Sequence, residues 1–354
     1  MQKISAAVIA CGKAGQTHMH WYAKNPACRL TGVYDPDAAK AEEIAVCFQT
    51  LRYPSLEKLL ADPQVQLVSV AGPGNVRAEQ VINACQHGKH VVAEKPMANS
   101  LDEAEEMLAA ANENQVRLFV YLNMRFHPVT FAIDEVIHEI GPLFHVALDY
   151  TQFRSNVSWR HKLSQMGGVL KEQGFHPIDL ALRWLGDVDE VSTETLVLHP
   201  GREVEDHAVC LLRFCSGATG TIYASYNDRR EEAMFGRILG RDGTILFTLS
   251  PYKPEINEVI LRKDNDKVIS LREAETIDPT YPGLMDCSKK SIDHILSSIL
   301  EGKPSLLDGK EGLRSLEVVL AGYESQRTHK KIKLPLNSFS LDNIEACFPH
   351  LSVE

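Results

Sequence analysis

The chain has 354 residues, 44% of them hydrophobic and 24% charged, an ordinary globular composition long enough for two domains. Its formal net charge of -10, from 37 basic and 47 acidic residues, argues against nucleic acid or an anionic membrane as a partner, since both need a basic surface. No run of about 18 apolar residues suggests a membrane span, and eight cysteines with no CxxC pair suit buried thiols in a reducing cytoplasm.

Residues 4–10 form a short apolar run rich in β-branched side chains and are expected to be a strand. A glycine-bearing turn, Cys11-Gly12-Lys13-Ala14-Gly15, leads into a helix that Asn25-Pro26 stops. Residues 30–34 read as a second strand ending at Asp35-Pro36, and a helix capped near Asp37 follows through residue 46. Residues 67–71 read as a strand running into Gly72-Pro73-Gly74-Asn75, then 77–87 as an amphipathic helix closed by Gly88. The strand at 90–93 leads into Glu94-Lys95-Pro96, and a helix at 101–114 and a strand at 118–122 complete the series. Strands alternating with helices point to an α/β Rossmann dinucleotide-binding domain over residues 1–123.

The pattern then changes. Helices are expected at 128–140 and 168–185, a strand at 143–153, and a succession of strands from 191 to 262, with helices at 288–301 and 310–328. Consecutive strands with few crossover helices describe an α+β domain over 124–336 with a large, mainly antiparallel, open-faced sheet. The helices are too few to cover both faces, so a homodimer or homotetramer is expected. Residues 337–354 form a tail.

The turn reads Ala10-x-Gly12-x-x-Gly15. Gly12 lets backbone approach a pyrophosphate, and Gly15 lets the helix pack closely on the strand. The N–H groups of Lys13 and Ala14 lie where a helix N-terminus attracts phosphate. Asp35, about 20 residues on, stands where an acid would bind the adenosine ribose and repel a 2′-phosphate. No arginine follows closely, so NAD is expected over NADP. The residue before Pro96 is biased to extended backbone. Lys95 thus sits at the carboxyl end of a strand, where ligands bind in such sheets.

A second cluster lies at Gly167-Gly168 through Asp179. On a regular helix Glu172, His176 and Asp179 share one face, with His176 as a general base that a carboxylate orients. Gly174 and Pro177 make a regular helix imperfect here. The same three residues could ligate a metal, but no further ligand cluster accompanies them and none is expected.

Together these pieces resemble the glucose–fructose oxidoreductase and inositol dehydrogenase family (Gfo/Idh/MocA). They are the Gly12–Gly15–His18 turn, Ala78-Glu79-Gln80 to Val91, Glu94-Lys95-Pro96, Trp159-Arg160, Gly167-Gly168 through His176 and Asp179, and Asp308-Gly309. The resemblance spans roughly residues 3 to 335. It implies Lys95 and His176 as the catalytic pair and Asp179 as the acid that follows the histidine. Glu172 stands where the family commonly has aspartate. The resemblance also implies that the loop at Gly72, Pro73 and Asn75 contacts the cofactor, as would Glu94 and Lys95 beside it.

The expected activity is NAD-dependent removal of hydride from a ring hydroxyl of a sugar, glycoside or cyclitol. His176 would take the proton and Lys95 polarise the oxygen, with Arg125, Arg154, Trp159, Arg160, Tyr226 and Asn227 on the substrate side. Two alternatives stand beside it: glycoside cleavage through transient oxidation and elimination, and a non-catalytic NAD-binding protein.

Overall fold

The computed structural model describes residues 3–154, 162, 167–271, 286–337 and 339. It divides into two units, 1–123 with 288–313, and 124–287 with 314–354.

In the first unit the elements run β1 (Ile4–Ile9), α1 (Lys13–Lys24), β2 (Cys28–Tyr34), α2 (Ala38–Cys47), β3 (Leu51–Arg52), α3 (Leu56–Leu60), β4 (Leu67–Val70), α4 (Gly74–Gln86), β5 (His90–Ala93), α5 (Leu101–Glu113) and β6 (Leu118–Val120). The strands form one sheet in the order β3-β2-β1-β4-β5-β6, every pair parallel. β1 and β4 are buried along their whole length. That is why they read as mainly apolar runs, interrupted by Ser5 and Ser69, rather than alternating ones. The strand order reverses between β1 and β4, and at such a point the loops part to leave a crevice at the carboxyl ends. β3 and α3 have no counterpart in the sequence reading, because a two-residue edge strand leaves no periodic signal. Buried Lys89 closes the loop before β4, its Nζ donating to the carbonyls of Asp62 at 2.7 Å and Val65 at 2.8 Å.

The second unit begins with a 3₁₀ turn at Asn123–Phe126, which straddles the division, and continues through α6 (Pro128–Val136), β7 (Leu143–Thr151), a π-helical stretch at Leu170–Gly174, α7 (Phe175–Leu185), β8 (Val188–Leu196), β9 (His207–Phe214), β10 (Thr219–Ser225), β11 (Ala233–Gly240), β12 (Gly243–Leu249), β13 (Glu258–Arg262) and β14 (Lys267–Val268). After α8 (Asp286–Glu301) and α9 (Gly309–Thr328) comes β15 (Ile332–Lys333). Nine strands pair as β14-β13-β12-β11-β7-β10-β9-β8-β15. Among the described strands of this sheet, only β7 and β10 run parallel.

One face of this sheet is buried over its central strands, with Val146, Leu148 and Tyr150 of β7 among its side chains. On the other face the registers line up Ile260, Leu246, Arg237, Ala147, Thr221 and Leu211 in one row across six strands. Leu211 there is 56% exposed. β15 covers only part of the β8 edge. Beyond it the N–H groups of Thr193 and Thr195 donate to Ser325 Oγ at 3.0 Å and Gln326 Oε1 at 2.8 Å, so α9 side chains close an edge otherwise open to pairing.

The sequence reading placed 288–313 in the second domain, but this stretch belongs to the first unit. It covers the β6 edge: the Val120 N–H donates to the Leu307 carbonyl at 2.8 Å, and Phe119 bridges Asp308. A Cβ on Gly312 would lie 2.5 Å from a Val120 methyl, so the close approach requires glycine there. Thiol burial also departs from expectation, since Cys47 and Cys215 are exposed while Cys11, Cys28, Cys85, Cys210 and Cys287 are buried. Among the described residues, no helix is long and apolar enough to cross a membrane.

Candidate active site

In the first unit the turn after β1 holds the cofactor candidates. Ala10 occupies the place of a motif's first glycine and takes its conformation, with φ at 75°. For alanine this left-handed geometry costs on the order of 1 kcal/mol. It aims the Ala10 carbonyl at α1, where a Cβ on Gly15 would sit 1.9 Å from that oxygen. Gly15 therefore admits no side chain. A Cβ on Gly12 would meet nothing within 4 Å, so the space over the helix entrance is open.

Side chains cap three helices here: Asp37 caps α2, Ser55 caps α3 and Ser100 caps α5. α1, entered through Gly12 with Lys13 exposed and Ala14 half-buried, has no side-chain cap, nor does α4, entered through Gly72, Pro73 and Asn75. Both helices start at the two strands flanking the reversal. Their N-termini, with positive dipole ends, suit a pyrophosphate. Asp35, at the end of β2, accepts from the Cys11 N–H at 2.8 Å and the Asp37 N–H at 3.0 Å. Lys40 on α2 lies 3.5 Å from the same carboxylate, a cation beside Asp35 where no arginine follows.

Lys95 and Pro96 are joined by a cis peptide bond. Arg77 of α4, buried, donates to the carbonyls of Gly72 at 2.8 Å and of Pro96, tying the two loops together. Glu94 accepts from the Lys95 N–H at 3.2 Å and meets His18 Nε2 at 3.2 Å. Burial alone would raise the Glu94 carboxyl. The His18 hydrogen bond, with the Lys95 and Arg77 cations nearby, outweighs it and holds the group below the ordinary carboxylate range.

In the second unit the segment carrying Glu172 is not a regular helix. The π-helical turn at Leu170–Gly174 is wider than an α-turn, so the four-residue spacing from Glu172 to His176 does not close one turn as the sequence reading supposed. The stretch begins at Gly168, with φ at 124°, against buried Glu205. Glu205 Oε1 accepts from the Leu170 N–H at 3.0 Å and from Tyr323 Oη at 2.7 Å. Glu172 and His176 are half-buried, and the His176 ring stands edge-on to Tyr150 at 6.0 Å.

Asp179 and Arg125, assigned separately by sequence to the catalytic and substrate groups, meet each other. Arg125 Nε lies 2.9 Å and Nη2 2.7 Å from the two Asp179 oxygens, and Ser315 Oγ donates to the carboxylate at 2.9 Å. Each side chain of the pair is 3% exposed. Arg154 lies with its guanidinium 5.5 Å from the Tyr226 ring centre, and its carbonyl accepts from buried Arg202. Asn227 is 3.4 Å from the same arginine. Trp159 and Arg160 lie outside the described residues.

Sequence reasoning missed Glu205. Burial pushes its carboxyl up to about 8 from an ordinary 4.5. A carboxyl raised on folding binds its proton in the folded state while the unfolded chain has lost it. Stability therefore falls as pH climbs from about 4.5 to 8 and levels off above. Glu205→Gln keeps the acceptor oxygen and removes the titration. It is expected to flatten this fall and to exceed the parent in stability at pH 8 by about 2–3 kcal/mol, allowing for relaxation around the charge. Urea midpoints at pH 5 and pH 8 check this; a parallel fall in both proteins would disprove it.

Comparison with known proteins accords with this architecture. Residues 4–122 match the oxidoreductase family NAD-binding Rossmann fold, and residues 134–334 match the same family's C-terminal alpha/beta domain. D-apiose dehydrogenase of Paraburkholderia graminis is 24% identical over 353 residues, covering 94% of this chain and 90% of that protein. The scyllo-inositol 2-dehydrogenase (NADP(+)) IolW of Bacillus subtilis is 27% identical over 294 residues, covering 79% and 82%. A solved levoglucosan dehydrogenase in complex with NADH superposes with a TM-score of 0.84 at 22% identity, over 94% of this chain and all of that one. With both of the family's domains present in order along nearly its whole length, the chain belongs to the Gfo/Idh/MocA oxidoreductases.

Proposed function

We propose that this protein oxidises a ring hydroxyl of a sugar or cyclitol, passing hydride to NAD. The observation that carries the reading is the β1–α1 turn. An uncapped helix N-terminus, an open space over Gly12 and a forced close approach at Gly15 leave room and donors for a pyrophosphate. When bound, the nicotinamide supplies the hydride acceptor. The protein's part is to bind, orient and move a proton. In this reading His176 takes the hydroxyl proton, and the Lys95 ammonium stabilises the developing negative oxygen. Asp179 acts through the Arg125 and Ser315 it holds. The relatives named for D-apiose and scyllo-inositol support a polyhydroxylated substrate.

NAD is the cofactor this reading favours. Asp35 places a carboxylate at the end of β2, and a 2′-phosphate there would meet like charge. Lys40 offsets part of that charge. The test is a fluorescence titration with NADH and NADPH, followed by a screen of pentoses, anhydrosugars and inositols for NADH formation. Tighter binding of NADH and cofactor reduction by at least one polyol are expected. NADPH binding as tight as NADH would refute the role of Asp35. Cleavage of a glycoside without net NADH would reassign the reaction to transient oxidation and elimination.

The sheet face that carries half-buried Ala147 and exposed Leu211 supports self-association. A dimer or tetramer is expected by light scattering at micromolar concentration, and Leu211→Glu is expected to shift it toward monomer. A monomeric parent would end this part of the reading.

A further inference from the structure

A buried chain of hydrogen bonds stands behind the Glu94–Lys95 loop, wholly inside the first unit. Tyr22 Oη lies 2.7 Å from Ser69 Oγ, and Ser69 Oγ lies 2.9 Å from His18 Nδ1. His18 Nε2 lies 3.2 Å from Glu94 Oε1, and Glu94 Oε2 accepts from the Lys95 N–H at 3.2 Å. His18, Tyr22 and Ser69 are fully buried. The His18 ring also lies against Tyr121, with centroids 4.3 Å apart.

The polarity of the chain follows from its end. An ionised carboxylate only accepts, so His18 Nε2 carries a hydrogen. In neutral His18, Nδ1 is then an acceptor, and the Ser69 hydroxyl donates to it. Ser69 oxygen in turn accepts from Tyr22. Every hydrogen is used, and each bond points toward Glu94. The far end is closed. Burial raises the Tyr22 hydroxyl far above its ordinary value, and the residue does not reach solvent. Such a chain is no exit for a substrate proton. It is a strut.

We propose that His18, backed by Ser69 and Tyr22, is a positioning residue that holds the Glu94 carboxylate in place beside Lys95 and through it sets the protonation of the Lys95 ammonium. The groups acting on Glu94 are His18, through its hydrogen bond, and the Lys95 and Arg77 cations. Arg77 is anchored on the carbonyls of Gly72 and Pro96, and Glu94 is an anion in contact with the Lys95 backbone. A fixed anion beside Lys95 favours its charged form, the form that polarises an oxygen. The proposal rests on reading Lys95 as a site residue, but its test needs neither substrate nor turnover. The failure of one is therefore distinguishable from the failure of the other.

The experiment is competitive labelling of lysines with trace acetic anhydride across a pH series, with the Lys95 peptide quantified by mass spectrometry. NADH titration and the labelling of Lys89 serve as controls for folding. Glu94→Gln is expected to move the Lys95 labelling midpoint to lower pH by about one unit. His18→Phe is expected to move it the same way by less. His18→Gln, whose amide can donate to Glu94, is expected to return it toward the parent value. An unmoved midpoint in Glu94→Gln would overturn the coupling. A shift in Glu94→Gln with none in His18→Phe, or His18→Gln shifting as far as His18→Phe, would overturn the role of His18. If His18→Phe does not fold, Ser69→Ala, which removes one hydroxyl behind the ring, decides the question: a smaller shift to lower pH supports the strut, and no shift overturns it.

Discussion

Replacing His176 with alanine is expected to lower single-turnover hydride transfer by about 10²–10⁴-fold, the range of a lost general base, while NADH affinity stays at the parent value. The cofactor candidates Gly12, Gly15 and Asp35 belong to the first unit and His176 to the second, so the substitution spares the binding turn. Lys95→Ala is expected to fall in the same range for a different reason, because it removes the cation that stabilises the developing alkoxide. The pH profiles separate the two. Loss of the base removes the acid limb of kcat; loss of the cation removes an alkaline limb. Near-parental hydride transfer in His176→Ala would reassign the proton acceptor. Glu172 would then be the next candidate, since the Asp179 oxygens are engaged by Arg125 and Ser315.

The second large effect is expected at that pair. Arg125→Met leaves the Asp179 carboxylate buried with Ser315 as its remaining donor among these three residues, and breaking a buried pair from one side costs about 3–5 kcal/mol. The double variant Arg125→Met/Asp179→Leu removes both charges and is expected to recover much of the loss, since apolar replacements of similar volume are often close to neutral. Loss of hydrogen-exchange protection at the α7 amides, read for each variant, checks this locally. If Arg125→Met left α7 protected and raised only the KM for substrate, the arginine would belong to the substrate rather than to Asp179.

The contrast between the two units shows what sequence makes legible. β1, β4 and β5 are short apolar runs because both faces are covered, and Gly12, Gly15 and Asp35 keep a local spacing that any reader of the chain can measure. Ala10 concealed its role by its identity, since its left-handed backbone is visible only in three dimensions. The π-helical turn at Leu170–Gly174 was signalled by Gly174 and Pro177 but not its width. The partnership of Asp179 with Arg125 and Ser315 joins residues 54 and 136 positions apart, and nothing local selects one acid among many. Glu205 reads in sequence as an ordinary acid beside Asp206. Its raised carboxyl comes from burial, a property of the fold.

The return of residues 288–313 to the first unit bears on how the protein is made. β6 is the outer strand of its sheet, and its edge is satisfied by Leu307 and Asp308. Arg117, just before β6, donates to the Ser298 carbonyl at 2.6 Å, and Tyr121, just after it, donates to that of Ser288 at 3.3 Å. A ribosome adding about 5–20 residues per second needs roughly 10–40 s to travel from Asn123 to Leu313. Through that interval the nascent nucleotide-binding half has an unfinished rim, with the Val120 N–H and the apolar side chains of β6 exposed to any passing strand. The nucleotide-binding half is thus completed only once residue 313 has emerged, and the interval before that is when a chaperone has most to protect.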